Sequence, residues 1–258
     1  MKISAIIITR NEEARIARCV SSLRWADELV VVDNGSTDAT REIAKKQGAI
    51  VVSAVDTRDF AKLRNIGKEN ARGEWLLYID ADESVSEALQ KEIQGLITHH
   101  TSRITGYELQ RKNYYLGHEW PGEEYIVRLI RKDALDAWNG QLHETARVNG
   151  KIGRLHGPLL HDTHRTLAEM VAKTNQWSGV EARLRFDAGH PPIVWWRFIR
   201  VMLTAFFDSF IKQGGWRSGV VGWVESVYQT FSIFITYAKL WEMQQAGDHK
   251  SKVESQKL

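Results

Sequence analysis

Two aspartates one residue apart, Asp80 and Asp82, close the apolar run Trp75-Leu76-Leu77-Tyr78-Ile79. A run of that length suits a buried strand, and its end is a costly place for charge unless something binds there. If the extended backbone continues through Ala81, a period of two aims both carboxylates at the same side. A hard divalent cation carrying an anionic ligand relieves their repulsion. Mg²⁺ takes one or two carboxylates and fills its shell with phosphate oxygens and water. Thr9 and Asp33 end two other apolar runs, and Arg64 lies in the helical segment before Trp75. Each also has an ordinary reading: a strand-end threonine, a turn-forming aspartate before Asn34-Gly35, a surface arginine, and a solvated strand end for the aspartate pair. Histidines gather at His143, His156, His161 and His164. Neutral imidazole is a good metal ligand. Leu159-Leu160 reads as a strand delivering His161 inward, so His161 is the candidate that joins Asp82, against the reading of a satisfied loop histidine.

The elements that must hold these residues follow from the apolar pattern. Ile3 to Thr9 is a β-branched run of the kind covered on both faces. Asn11-Glu12-Glu13 opens a helix with Ile16, Val20 and Leu23 as its apolar positions. Leu29 to Val32 forms a second strand ending at Asp33. Asn34 to Asp38 is a turn and helix start with Ser or Thr as the cap and Asp38 near the positive end of the dipole. Gly48 suits the position after that helix. Ala49 to Ser53 is a third strand, and Phe60 to Ala71 a helix leading to the Trp75 strand. Strands alternating with helices give βαβ units, a parallel sheet and right-handed crossovers. In such sheets ligands bind beyond the carboxyl ends of the strands, where Thr9, Asp33, Asp80 and Asp82 all fall.

Composition narrows the classes. The 258 residues suit one large domain or a domain with an appendage. A net charge of +3 without a basic block gives no support for nucleic acid. The single Cys19 cannot form an internal disulfide, as expected of a reducing compartment. The first apolar run is too short for a signal peptide. No G-x-G-x-x-G follows the first strand, so a dinucleotide site is not supported. A phosphatase of the haloacid-dehalogenase type would carry its D-x-D after the first strand rather than the fourth. A nucleotidylyltransferase would carry a glycine-rich basic loop where Thr9-Arg10-Asn11-Glu12-Glu13 stands. No catalytic serine signature or zinc-type spacing is present.

Four segments in order, Ile6-Ile7-Ile8-Thr9-Arg10-Asn11-Glu12, Val31-Val32-Asp33-Asn34-Gly35-Ser36-Thr37-Asp38, Arg64-Asn65-Ile66-Gly67 and Tyr78-Ile79-Asp80-Ala81-Asp82-Glu83, resemble family 2 glycosyltransferases of the GT-A fold. Arg128-Leu129-Ile130-Arg131, Leu142-His143-Glu144 and Tyr237-Ala238-Lys239-Leu240-Trp241-Glu242 resemble the WaaE/KdtX-like glucosyltransferases of the lipopolysaccharide core. Ser218 departs from that subgroup, which often has an aspartate there. The resemblance implies transfer of a sugar from a UDP-sugar with inversion. It places Thr9 and Glu12 at the uridine, Asp33 at the uracil, Asp80 near the ribose, Arg64 at the diphosphate, and a Mg²⁺ or Mn²⁺ ion on Asp82. A metal so held neutralises the departing diphosphate. Inversion needs one base to take the acceptor proton. Glu144 matches the subgroup's histidine-glutamate pair and is the candidate, with Asp162 the alternative.

The last third differs in character. Five of the ten tryptophans lie at or beyond Trp195. Between Ile193 and Gln213 the polar residues Arg197, Arg200, Thr204, Asp208 and Lys212 form one helical stripe in an otherwise apolar segment. Trp223 to Glu242 repeats the design with Glu225, Gln229, Ser232, Thr236 and Lys239. Neither offers the roughly twenty apolar residues of a spanning helix. They suit helices lying in a membrane interface or, alternatively, a helical pair packed within the protein.

The expectation is an α/β protein with the GT-A open, mostly parallel sheet flanked by helices and a C-terminal amphipathic helical appendage. Residues 1–190 form the transferase domain, with a nucleotide-sugar half (1–100), an acceptor half (101–165) and a helix (166–190). Residues 191–258 form the tryptophan-rich segment and polar tail. The expected activity is transfer from a UDP-glucose-like donor to a lipid-linked or lipopolysaccharide-core acceptor at the cytoplasmic face of the membrane, to which the protein binds peripherally. Two alternatives stay open: a nucleotide-sugar-binding protein without catalysis, and a transferase for another cell-surface glycan. Homo-oligomerisation is also open.

Overall fold

The computed structural model describes residues 2–54, 57, 59–98, 103–140, 144–163 and 165–255, with side chains to residue 246. The first strand, β1 (Ile3–Thr9), is buried along its length because its alternate residues feed two cores. Ile3, Ala5 and Ile7 join one apolar cluster with Ile16, Cys19, Val20 and Leu23, while Ile6 and Ile8 join the other with Leu63 and Tyr78. The helix expected from Asn11 starts later, as α1 (Ile16–Ser21). Asn11 sits at φ 53, and its side chain accepts from the Thr37 N–H at 2.8 Å instead of entering a helical turn.

β2 (Glu28–Asp33) leads to α2 (Thr40–Lys46), which has no side-chain cap at Ala39. The expected Ser/Thr cap is replaced by carboxylates: Asp38 accepts the Thr40 N–H at 3.0 Å and Glu13 the Ala39 N–H at 3.1 Å. Negative charge there also meets the helix dipole. β3 (Ile50–Ser53) precedes α3 (Phe60–Asn70), which is capped by Asp59 accepting the Lys62 N–H at 2.9 Å. Gly67 lets α3 lie close to β1, since a Cβ there would stand 2.3 Å from Ile6 Cγ2. β4 (Trp75–Asp80) and β5 (Glu83–Val85) follow, then α4 (Glu87–Thr98). The second half of the sheet comes from β6 (Ile104–Tyr115), β7 (His118–Glu119), β8 (Glu124–Arg131), β9 (Leu135–Asn139), β10 (Thr145–Val148) and β11 (Lys151–Asp162).

Among the described residues the main sheet has nine strands, in the order β3-β2-β1-β4-β8-β6-β11-β5 with β7 beside β6. β3, β2, β1 and β4 are mutually parallel, the expected open α/β half. β8 then pairs antiparallel to both β4 and β6, and β5 antiparallel to β11. β9 and β10 form a separate ribbon.

The chain divides into two compact units, one of residues 1–113 and 123–162, the other of 114–122 and 163–258. The second contains α5 (Leu167–Asp187), α6 (Trp195–Phe207) continuing into a π-helical turn, and α7 (Gly219–Ser255). The boundary expected at residue 190 therefore falls at residue 162, because α5 packs along α7. Thr174 Oγ1 bonds the Tyr228 hydroxyl and lies 3.3 Å from Ser232 Oγ, and Lys239 Nζ donates to the Asn175 carbonyl at 2.6 Å. These contacts set the orientation of α7. Its polar stripe faces inward, with Glu225, Ser226 and Thr236 buried. Its apolar stripe faces outward, with Val220, Trp223, Val227, Phe231, Phe234 and Trp241 exposed. α6 has no buried residue and exposes Trp195, Trp196, Ile199, Leu203 and Phe207. Among the described residues no helix is long and apolar enough to cross a membrane.

Candidate functional site

The candidate residues lie in the first unit. Parity along β4 decides what each aspartate meets. Leu76 and Tyr78 face the core beneath α3, and Asp80, two residues on, is directed to the same face. There Arg64 of α3, 1% exposed, donates through Nη2 to Asp80 Oδ1 at 2.9 Å. Its Nε donates to Glu144 Oε1 at 2.9 Å. The guanidinium is packed over Trp138, 5.0 Å from the ring centre. The other Asp80 oxygen accepts from Arg128 Nη2 at 2.8 Å. Burial alone would raise the Asp80 pKa, but Arg128 and Arg64 outweigh it and hold the carboxyl well below the usual range.

The extended backbone does not continue through Ala81. β4 stops at Asp80, Ala81 turns into the core, and β5 begins at Glu83. The expectation that both aspartates point to one side is thus corrected: Asp80 serves two arginines, whereas Asp82 stands against β11. The turn is held by the Asp80 N–H donating to Glu83 Oε2 at 2.9 Å and by the Asp162 N–H donating to the Asp82 carbonyl at 3.1 Å. Burial and the nearby Asp80 charge push the Glu83 carboxyl up.

His161, opposite Glu83 in the β11–β5 ladder, brings Nε2 to 3.5 Å from Asp82 Oδ2. Its Nδ1 lies 2.7 Å from Asn113 Oδ1. Burial lowers the His161 pKa, yet the neighbouring Asp82 carboxylate outweighs it and raises the value. The pair suits a divalent cation: an imidazole nitrogen and a carboxylate oxygen face each other at close range, with the second ring nitrogen engaged elsewhere. Among the described residues no set of three His, Cys, Asp or Glu side chains is placed to share an ion. Water and a bound diphosphate would complete the shell.

Thr9 and Asp33 end adjacent parallel strands, in register with each other. Both are buried. Asp33 Oδ2 accepts the Ser36 N–H at 3.2 Å, but Asp33 Oδ1 and Thr9 Oγ1 have no hydrogen-bond partner among the described residues. Glu12 is half-buried in the turn before α1 and accepts from Arg15 Nη1 at 2.8 Å. The alternative base, Asp162, is paired with Arg18. Of the four histidines, His156 is exposed. His143 and His164 lie outside the described residues, as do Gln141 and Leu142 beside Glu144. A cleft lined by Lys2, Ser4, Asp27, Glu28 and Arg72 lies at the amino ends of β1 and β2, away from all these groups.

Several residues of the site carry no role in the sequence reading. Arg128 sits at a β-bulge: Tyr107 pairs Leu129 and Glu108 pairs Val127, so Arg128 drops out of the ladder. A bulge re-aims its side chain, which here reaches Asp80. Arg111 and Asn113 follow Tyr107 and Leu109 at even spacing on β6, the polar end of an apolar stripe. Arg111 faces Glu124 across the β6–β8 ladder and bonds it at 2.8 Å. Burial disfavours the Glu124 carboxylate, but Arg111 and the Asn113 amide pull its pKa down. Alternating polar residues at the end of a strand were the available signal.

Strand-end polar groups gathered beyond the carboxyl side of a parallel sheet, with buried guanidinium groups and a carboxylate–imidazole pair, mark an α/β protein whose polar groups collect where such sheets hold ligands. Residues 4–152 match the model of glycosyl transferase family 2, and the chain belongs to that family; it is a glycosyltransferase. The lipopolysaccharide core biosynthesis glycosyltransferase LpsC of Rhizobium meliloti is 29% identical, covering 94% of this chain and 93% of its own length. The uncharacterized glycosyltransferase RP128 of Rickettsia prowazekii is 31% identical, covering 94% of this chain and 87% of its own. The crystal structure of Staphylococcus aureus TarS residues 1–349 with UDP-GlcNAc shares the fold at a TM-score of 0.51 and 17% identity, covering 96% of this chain and 92% of that one.

Proposed function

We propose that this protein transfers a sugar with inversion from a UDP-sugar, glucose-like, to a lipid-linked or lipopolysaccharide-core acceptor at the cytoplasmic face of the membrane. The observation that carries the reading is a set of buried polar atoms in one unit without hydrogen-bond partners among the described residues: Thr9 Oγ1 and Asp33 Oδ1 at strand ends, Arg64 Nη1 on α3 and Arg128 Nη1 on β8. Each such group costs about 1–3 kcal/mol, more when charged, unless a ligand satisfies it. Asp33 Oδ1 accepts from the uracil imide, Thr9 and Glu12 meet the uridine, and Asp80 lies near the ribose. Arg64 and Arg128 turn their remaining N–H groups to the diphosphate. Asp82 and His161 hold a Mg²⁺ or Mn²⁺ ion, which when bound supplies positive charge to the departing diphosphate. Glu144 takes the proton of the attacking hydroxyl, and Arg64, bonded to it, fixes the position of the carboxylate.

The name of LpsC supports a lipopolysaccharide-core acceptor, and the UDP-GlcNAc bound by TarS supports a UDP-linked donor. The outward apolar face of α6 and α7 supports work at a lipid surface. Tryptophans favour the interfacial depth and cations meet anionic headgroups. Arg197 and Arg200 lie over the Trp196 ring, and Arg217 over Trp216.

Calorimetry tests the donor: UDP should bind more tightly than GDP, and Asp33→Ala should lose about 1.5–3 kcal/mol of UDP binding. A tighter GDP complex would overturn the assignment. Donor hydrolysis should stop in excess EDTA and return with Mn²⁺. Flotation tests the membrane: protein should rise with anionic liposomes and be partly released by salt. Protein remaining at the bottom of the gradient would remove that part of the reading.

A further inference from the structure

We infer that Asn113 is a positioning residue that locks His161 in the tautomer able to bind a cation. The inference rests on the proposed metal role of His161 and concerns what prepares it. Asn113 is 7% exposed and its amide has two fixed neighbours. Nδ2 donates to Glu124 Oε2 at 3.0 Å, and Oδ1 lies 2.7 Å from His161 Nδ1. Glu124 is itself clamped by Arg111, whose Nη2 reaches Oε1 at 2.8 Å and whose Nε reaches Oε2 at 3.0 Å.

The chain of roles has one consistent direction. An arginine only donates, so Glu124 stands before it as an accepting carboxylate. A carboxylate requires the amide nitrogen of Asn113, not its oxygen, on the Glu124 side. The amide oxygen therefore faces the imidazole, and it can only accept. Nδ1 must carry a proton in every state, which makes Nε2, 3.5 Å from Asp82 Oδ2, the nitrogen that gives up its proton when a cation binds beside that carboxylate. Flipping Asn113 would set its oxygen against the Glu124 carboxylate, so the opposite tautomer would oppose two acceptors. Ligating histidines commonly take their orientation from such an outer partner, whose loss lowers metal affinity by about 10–100-fold.

The test uses the full chain. Long-range ¹H–¹⁵N correlation on metal-free protein identifies the protonated nitrogen of His161, assigned by its disappearance in His161→Ala. Wild type should show protonated Nδ1, whether or not Nε2 also holds a proton against Asp82. Observing neutral imidazole protonated on Nε2 in wild type overturns the inference without any variant. Mn²⁺ affinity is then read by electron paramagnetic resonance with UDP present. Asn113→Leu should weaken Mn²⁺ by about 10–100-fold and move the ring toward the Nε2–H form. Asn113→Asp combined with Glu124→Gln keeps an accepting oxygen on His161 Nδ1 and a donor–acceptor pair between residues 113 and 124, gives up the bond from Arg111 Nε to Oε2, and should restore part of the affinity. An Asn113→Leu protein that binds Mn²⁺ as wild type does, when His161→Ala does not, overturns the role of Asn113 alone. Undiminished Mn²⁺ binding by His161→Ala instead overturns the metal reading beneath it.

Discussion

Replacing Arg64 by methionine removes a cation that bridges two carboxylates while keeping most of the side-chain volume. Arg64 is 1% exposed, and its bonds to Asp80 and Glu144 are each 2.9 Å long. A hydrogen bond to a charged group contributes about 1.5–3 kcal/mol, so two amount to about 3–6. Breaking a buried ion pair costs about 3–5 kcal/mol through the charge left behind. Arg128 still neutralises Asp80 in the variant, which places the expected loss near the lower end, about 3–4 kcal/mol. Native-state hydrogen exchange at amides of β1 and β4 reports this for the unit that holds the site. Adding Glu144→Gln removes the stranded charge, so the double variant should recover part of the loss, with a coupling of about 1–3 kcal/mol. The pH dependence follows from Asp80. Its folded pKa is depressed, so its contribution is complete above the ordinary aspartate value of about 3.9 and is lost as pH falls through the folded value. The gap between wild type and Arg64→Met should therefore narrow below about pH 4. A loss under about 1 kcal/mol at pH 7, or strict additivity in the cycle, would refute the reasoning.

Glu144→Gln keeps the shape and a hydrogen-bond acceptor for Arg64 but no base, so donor binding should persist while turnover falls by about 10²–10⁴-fold in a sugar-transfer assay. Nearly unchanged turnover would move the base elsewhere, Asp162 first. Gly157→Ala places a Cβ 2.4 Å from the Leu89 backbone, forcing α4 away from the strand that carries His161. It should cost about 1–3 kcal/mol in denaturant unfolding, and an unchanged midpoint would show that α4 shifts freely.

Much of the first unit was legible in the sequence because its signals are local. The unbroken β-branched run from Ile3, the repeat of Ile16, Val20 and Leu23, and the apolar stretch into Asp80 each specify an element within ten residues. Strand ends placed Thr9, Asp33 and Asp80 on one edge of the sheet before any contact was known. The partners of those residues were not legible, since they depend on register and packing between distant segments. Asp80 meets Arg128 because one bulge drops that residue from the β6–β8 ladder, and no local pattern marks a bulge. Asn113 and Glu124 matter only once β6, β8 and β11 lie side by side. The stripe on α7 was readable as amphipathic, but periodicity gives two faces and not which one turns inward. Thr174 on α5 bonds Tyr228 and Ser232, and Asn175 takes Lys239. That pairing puts polar groups inside, where they satisfy one another, and leaves the tryptophan face outside. Sequence determined the elements and the edge where chemistry gathers; tertiary structure alone decided the neighbours, because those contacts join residues far apart in the chain.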